Sequence, residues 1–154
     1  MTVLSAAPAR VAAQVVLLVL LGIAARIDAM RCRLPNGLAC ALAAAGAANA
    51  FATGGVDMLL ARLGGALVAL CLLAAIELLW RSRRSEVGIG FGDIKAVFAL
   101  VLAGPLSAFV AFVIGLVALA ITGVALGRRA LPFIPFLALS YLLVICTETA
   151  LRLF

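Results

Sequence analysis

The sequence contains no histidine. That removes His-based acid–base catalysis, the Ser-His-Asp triad and most zinc and di-iron sites. Charge is scarce as well, at 12% of 154 residues, against about 25% in an ordinary soluble domain. The four cysteines, Cys32, Cys40, Cys71 and Cys146, are scattered and form no C-x-x-C pair, so neither a disulfide framework nor a metal site is read from them. What the chain has instead is apolar residues, 68% of the total, with a mean hydropathy of +1.34. A small domain has too much surface for its volume to hide such a surplus. A soluble globular enzyme, a disordered tail and a disulfide-knit secreted module are therefore excluded. An all-α integral membrane protein is expected, with residues 1–154 as a single polytopic domain.

The apolar residues fall in blocks. Val11 to Ile27 is the first, opened by Arg10 and carrying Gln14 and Arg26. A cleaved signal peptide is the competing reading, but further apolar blocks follow, and Arg26 and Asp28 are poor company for a cleavage site. About ten residues precede this run, so no soluble head domain is expected there. Leu38 to Ala52 is the second block, entered through Leu34-Pro35-Asn36-Gly37 and left through Thr53-Gly54-Gly55. Proline is tolerated at a helix start and Asn36 can cap it. Leu59 to Trp80 is the third, and Trp80 suits an interfacial position. Ala96 to Leu126 carries no charge over 31 residues, about 46 Å as one helix, too long for a hydrocarbon core of about 30 Å. Gly104-Pro105 interrupts it as a natural turn. The break leaves a short fourth helix from about Asp93 to Ala103 and a full fifth from Leu106 to Leu126. Phe133 to Phe154 is the last run.

Charge supports six spans. With the break, Arg26, Arg31, Arg33, Arg81, Arg83, Arg84, Arg128 and Arg129 share one side, against Arg10, Arg62 and Arg152 on the other. Without it, Arg128 and Arg129 cross over and the eight-against-three asymmetry weakens. The positive-inside rule therefore predicts six transmembrane helices, arginine loops in the cytoplasm and both termini outside.

Ionisable groups at membrane depth are costly and need a reason. Arg62, Glu77, Glu148 and Arg152 stand near helix ends, where snorkelling or loose pairing is expected. Asp57 is read as a helix cap in an outer loop, and Glu86 as solvated among arginines. Asp28 and Asp93 are different, because the topology brings both to one membrane face. Asp93 closes the run Gly88-Ile89-Gly90-Phe91-Gly92, whose glycines allow close backbone approach and clear bulk from around the carboxylate. The run is no dinucleotide loop, since no strand or βαβ unit surrounds it. Two neighbouring carboxylates cannot both ionise easily and so share a proton. The charged one can deprotonate a water while the neutral one donates to a scissile carbonyl or leaving amine. That is peptide hydrolysis without metal, histidine or covalent intermediate.

At this point the sequence resembles the type IV prepilin peptidase family of membrane aspartyl proteases. Asp28-Ala29-Met30-Arg31-Cys32-Arg33-Leu34-Pro35-Asn36 is similar to its D-x-x-x-x-[RK]-[IL]-P-N segment, and Gly90-Phe91-Gly92-Asp93-Ile94-Lys95 to its G-x-G-D-x-K motif. Leu131-Pro132-Phe133-Ile134-Pro135-Phe136 is similar to the P-F-x-P-F segment before the last helix. The short fourth helix would start at the G-x-G-D motif. The resemblance implies that Asp28 and Asp93 are catalytic. It also implies that Gly90, Gly92, Pro35 and Asn36 shape the site. Lys95 is counted with them as a substrate-binding or shaping residue; two residues from Asp93 on a helix it would point elsewhere, to snorkel to headgroups or hold the leader's surroundings, with a structural role ranked first. Family members cleave a short basic leader from prepilins and pseudopilins at the cytoplasmic face of the inner membrane. The implied partners are that substrate and membrane lipid, with no nucleic acid and no metal or other cofactor. Larger members carry a zinc-binding insertion with two C-x-x-C pairs and also methylate the new N-terminus. This chain lacks the pairs, so peptidase activity without methyltransferase activity is expected. Ile134 and Ser140 stand where many members have glycine. The compact form resembles stand-alone peptidases of Flp-type pili. Archaeal preflagellin peptidases and presenilin-type proteases share G-x-G-D, but the Leu-Pro-Asn and Pro-Phe-Ile-Pro-Phe segments favour the prepilin branch. A small proton-coupled transporter using the two aspartates as a relay is the rival from another class. A non-catalytic assembly subunit is a third.

Overall fold

The computed structural model describes residues 3–84, 89–127 and 131–151, and every regular element among them is helical. Five helices are assigned: α1 (Val3–Arg31), α2 (Asn36–Arg84), α3 (Phe91–Ala103), α4 (Pro105–Leu126) and α5 (Ile134–Leu151). Four of them, α1, α2, α4 and α5, are long and apolar enough to cross a membrane. Glu86, Arg128, Arg129 and Arg152, with the side chain of Arg84, lie outside the described residues.

The connection expected between the second and third apolar blocks is not a loop. Helix α2 runs through it, broken only at Gly54 and Gly55. Gly55 has φ +67 and ψ −152, a conformation essentially confined to glycine. Asp57 follows within the resumed helix and is exposed, so the cap in an outer loop is not formed. The break reverses the chain. Along the first arm, Asn36 meets Lys95 and Gly46 lies beside Ala99 and Leu102, so this arm runs with α3. Along the second arm, Arg62 donates to the Ala103 carbonyl while Arg81 lies over Phe91, so this arm runs against α3. The two arms flank α3, which packs chiefly on α2.

Helix α3 is the core of the bundle. From Ile94 to Ala103 every residue but Lys95 and Phe98 is buried. Its small side chains permit close helix approach, the means by which helices associate where lipid leaves no hydrophobic driving force between them. At Gly46 a Cβ would overlap the carbonyl oxygen of Ala99. Gly115 of α4 abuts the Leu137 backbone of α5 in the same way, at 3.3 Å for a notional Cβ. The uncharged 31-residue run divides at Gly104, which ends α3, with its amide bonded to the Leu100 carbonyl, and precedes Pro105 at the first position of α4. Proline is suited to that position because its missing N–H is not needed there.

At the end of the bundle where α3 finishes, polar side chains pair with one another. Asn49 donates to Gln14, Gln14 donates to Tyr141, and Ser107 donates to Glu148 at 2.6 Å. Arg62 and Glu148 are thus held by specific partners from other helices rather than left to snorkel. Gly46→Val is expected to lower stability by about 1–3 kcal/mol through overpacking against the α3 backbone. Gly64→Ala, with open space around it, should be neutral or raise the unfolding midpoint slightly. Thermal unfolding of both variants in detergent checks the contrast.

Candidate active site

The opposite end of the bundle gathers the three sequence segments singled out above. Helix α1 stops at Arg31. Cys32 turns the chain out with φ +47, its amide bonded to the Asp28 carbonyl at 2.7 Å, a left-handed cap of the kind that usually takes glycine. The turn sends Arg33 and Leu34 back across the bundle toward α3. Leu34 settles against Gly92, where a Cβ would come within 3.1 Å of the Leu34 Cβ and 3.4 Å of its amide nitrogen. Glycine at 92 therefore makes room for the first segment. Two residues on, Asn36 accepts a hydrogen bond from Lys95 Nζ at 2.7 Å. The Asn36 side chain is committed to this pair, and Pro35 supplies the carbonyl that receives the Ala39 amide at 3.0 Å.

Asp93 occupies the first turn of α3, with Gly90 as the capping residue. No side chain caps this helix start, and a carboxylate there is favoured by the helix dipole. It curls back toward Gly90, where a Cβ would stand 3.2 Å from Oδ2. Asp28 lies on the last turns of α1 and is only 5% exposed. Its Oδ2 accepts the amide of Ile134 at 3.2 Å. That amide is one of the unpaired donors at the start of α5, and Pro135 beside it has none to offer. The third segment thus closes onto Asp28 through its backbone. Phe133, one residue earlier, packs edge-on against Phe112 of α4 with ring centroids 5.7 Å apart.

Asp28 and Asp93 line one cavity of about 1060 Å³. Gly90, Gly92, Lys95 and Leu34 share its wall, with Arg33 and Arg81. Pro35 and Asn36 face a smaller adjoining hollow with Arg31 and Arg33. Two carboxylates that meet across a shared cavity resist simultaneous ionisation and can hold one proton between them. Lys95 does not point away from the site, as its spacing from Asp93 suggested; it lines the cavity and ties α3 to the start of α2.

Several residues here were not anticipated. Arg81 and Phe91 flank the cavity, with the guanidinium 5.0 Å from the ring centroid. The last turns of α4, from Leu119 to Val124, form its apolar side. Glu77 was read as a loosely paired helix-end charge, yet it is 1% exposed and bonded to both Arg81 and the Ile89 amide at 2.6 Å. The i,i+4 spacing of Glu77 and Arg81 was the available signal.

Asp28→Ala leaves the Ile134 amide without its acceptor and should lower stability by about 1–3 kcal/mol. Asp28→Asn keeps an oxygen at that amide and should unfold close to the wild type, as thermal denaturation of the pair would show.

No curated protein and no solved structure matches the chain. A sequence model of a known family does match, over residues 15–147, a stretch that contains both aspartates, the Leu-Pro-Asn turn and the glycine-flanked start of α3. The chain belongs to the type IV leader peptidase family.

Proposed function

We infer that the protein is an aspartic endopeptidase that removes the short basic leader from type IV prepilins or pseudopilins. The observation that carries this reading is the pair of carboxylates, Asp28 and Asp93, on the wall of one cavity, in a chain without histidine. Family membership supports it. So do the three contacts that converge there: Asp28 with Ile134, Leu34 with Gly92, and Asn36 with Lys95.

In the proposed reaction the ionised carboxylate takes a proton from a water molecule, whose oxygen attacks the scissile carbonyl carbon. The protonated partner donates to the carbonyl oxygen, and a proton is then delivered to the leaving amine as the C–N bond breaks. Because the two groups titrate as a unit, acid and base are roles of the pair. In this reading the two arms of α2 on either side of Gly54–Gly55 count as separate crossings and α3 as a short one, six in all. At 13 residues α3 rises about 20 Å, less than a bilayer core, so its Asp93 end lies below the surface. In this arrangement the cavity faces the cytoplasm of a multi-pass protein of the inner membrane, and the arginine-rich end follows the positive-inside rule. Without a C-x-x-C insertion the chain acts as a peptidase alone, with no methyltransferase step.

Purified protein in detergent or liposomes, given a prepilin with its leader, tests the reading. Asp28→Asn and Asp93→Asn should each reduce cleavage on the order of a hundredfold to ten-thousandfold, while Asp57→Ala cleaves normally. Leader removal by either Asn variant at the wild-type rate overturns the mechanism. Rate should also fall on both sides of an optimum pH. At low pH both carboxyls are protonated and no base remains; at high pH both are ionised and no acid remains.

A further inference from the structure

Glu77 is a buried carboxylate that the proposed reaction does not use. Burying such a charge is costly unless strong hydrogen bonds replace water. Two do. Its Oε1 accepts Arg81 Nε and its Oε2 accepts the amide of Ile89, each at 2.6 Å. Both partners lead to the same short stretch of chain. Ile89 immediately precedes Gly90, and Arg81 lies over the ring of Phe91. The second arm of α2 therefore grips the backbone just before Gly90 and the side chain just after it.

That stretch needs an outside anchor. Gly90 and Gly92 have no side chains with which to fix themselves, and glycine backbone is intrinsically the most mobile. Asp93 is attached directly behind them. Arg81 also lines the cavity that holds the two aspartates. A guanidinium released there would compete for a carboxylate, and an aspartate locked to arginine is a poor base. Glu77 occupies the Arg81 Nε and keeps it on the wall.

We propose that Glu77 is a positioning residue for Asp93, acting through the Ile89 amide and the Arg81–Phe91 stack to hold the Gly90–Phe91–Gly92 segment in register beside Asp28. The role builds on the peptidase reading. Glu77 is not among the residues lining the cavity, so its removal should alter turnover while leaving substrate affinity intact.

The test combines kinetics with amide exchange on the full chain in detergent. In Glu77→Ala, kcat per folded molecule should fall about tenfold or more, since misplacing a reacting group by an ångström costs this much, with KM within about twofold of wild type. Hydrogen–deuterium exchange across residues 89–93 should quicken. Glu77→Gln keeps the shape and an acceptor for the Ile89 amide but loses the charge that holds Arg81, and should fall between Glu77→Ala and wild type in both exchange and kcat. It is also the deciding variant if alanine fails to fold, with a several-fold lower kcat than wild type at unchanged KM. Wild-type kcat together with wild-type exchange in either folded variant overturns the proposal. So does a loss expressed in KM alone. If the wild type itself leaves the leader intact, the peptidase reading fails, and exchange at 89–93 alone then decides whether Glu77 holds the segment.

Discussion

A carboxylate buried to 5% exposure at the end of α1 has to be satisfied, and the rest of the structure answers to that requirement. Asp28 obtains its hydrogen bond from the first amide of α5, 106 residues away in sequence. Holding that amide in place requires the Phe133–Phe112 contact and the close seating of α5 on Gly115 of α4. The left-handed turn at Cys32 then carries the chain from Asp28 to Leu34, whose fit against Gly92 brings the α3 start alongside. A polar group that is expensive to bury thus draws the first, third and last helices of the chain to one point. The same group is the one the proposed chemistry needs.

The packing that supports this point relies on closeness rather than bulk. In a bilayer, apolar side chains gain little by leaving lipid for protein, so contact area has to come from backbones that approach closely. Gly46 against Ala99 and Gly115 against Leu137 are such approaches. They leave α3 enclosed between the two arms of α2 while large apolar side chains such as Val16, Leu72 and Ile121 face outward. Polar side chains placed among these helices are paired across them, as Gln14 is with both Asn49 and Tyr141. Each pair is a constraint on register, since an unpaired polar group in hydrocarbon is costly.

Much of this was legible in the residues. Asp28 and Asp93 stood out because charge inside apolar segments lacks a cheap explanation. The division at Gly104-Pro105 followed from helix length against membrane thickness. Other features were hidden for physical reasons. Glu77 has the hydropathy of any helix-end acid, and only its neighbours reveal that it is buried and doubly bonded. Lys95 was placed by helical spacing relative to Asp93 alone, whereas its long side chain reaches Asn36 on another helix. Thr53-Gly54-Gly55 read as a loop, but two non-helical glycines suffice to turn the chain, so α2 continues on either side.

The sequence by itself determined that this chain is helical and apolar enough for a membrane, where its helices break, and which two acids lack a structural excuse. These properties are local: composition, run length and the chemistry of single residues carry them. Tertiary structure alone decided that the two aspartates share one cavity wall, that Asn36 holds Lys95, and that Glu77 grips the approach to Asp93. Those facts depend on distances between segments far apart in the chain. Such distances are set by the hinge at Gly55, by glycine-permitted helix crossings and by hydrogen bonds that exist only after the helices have packed.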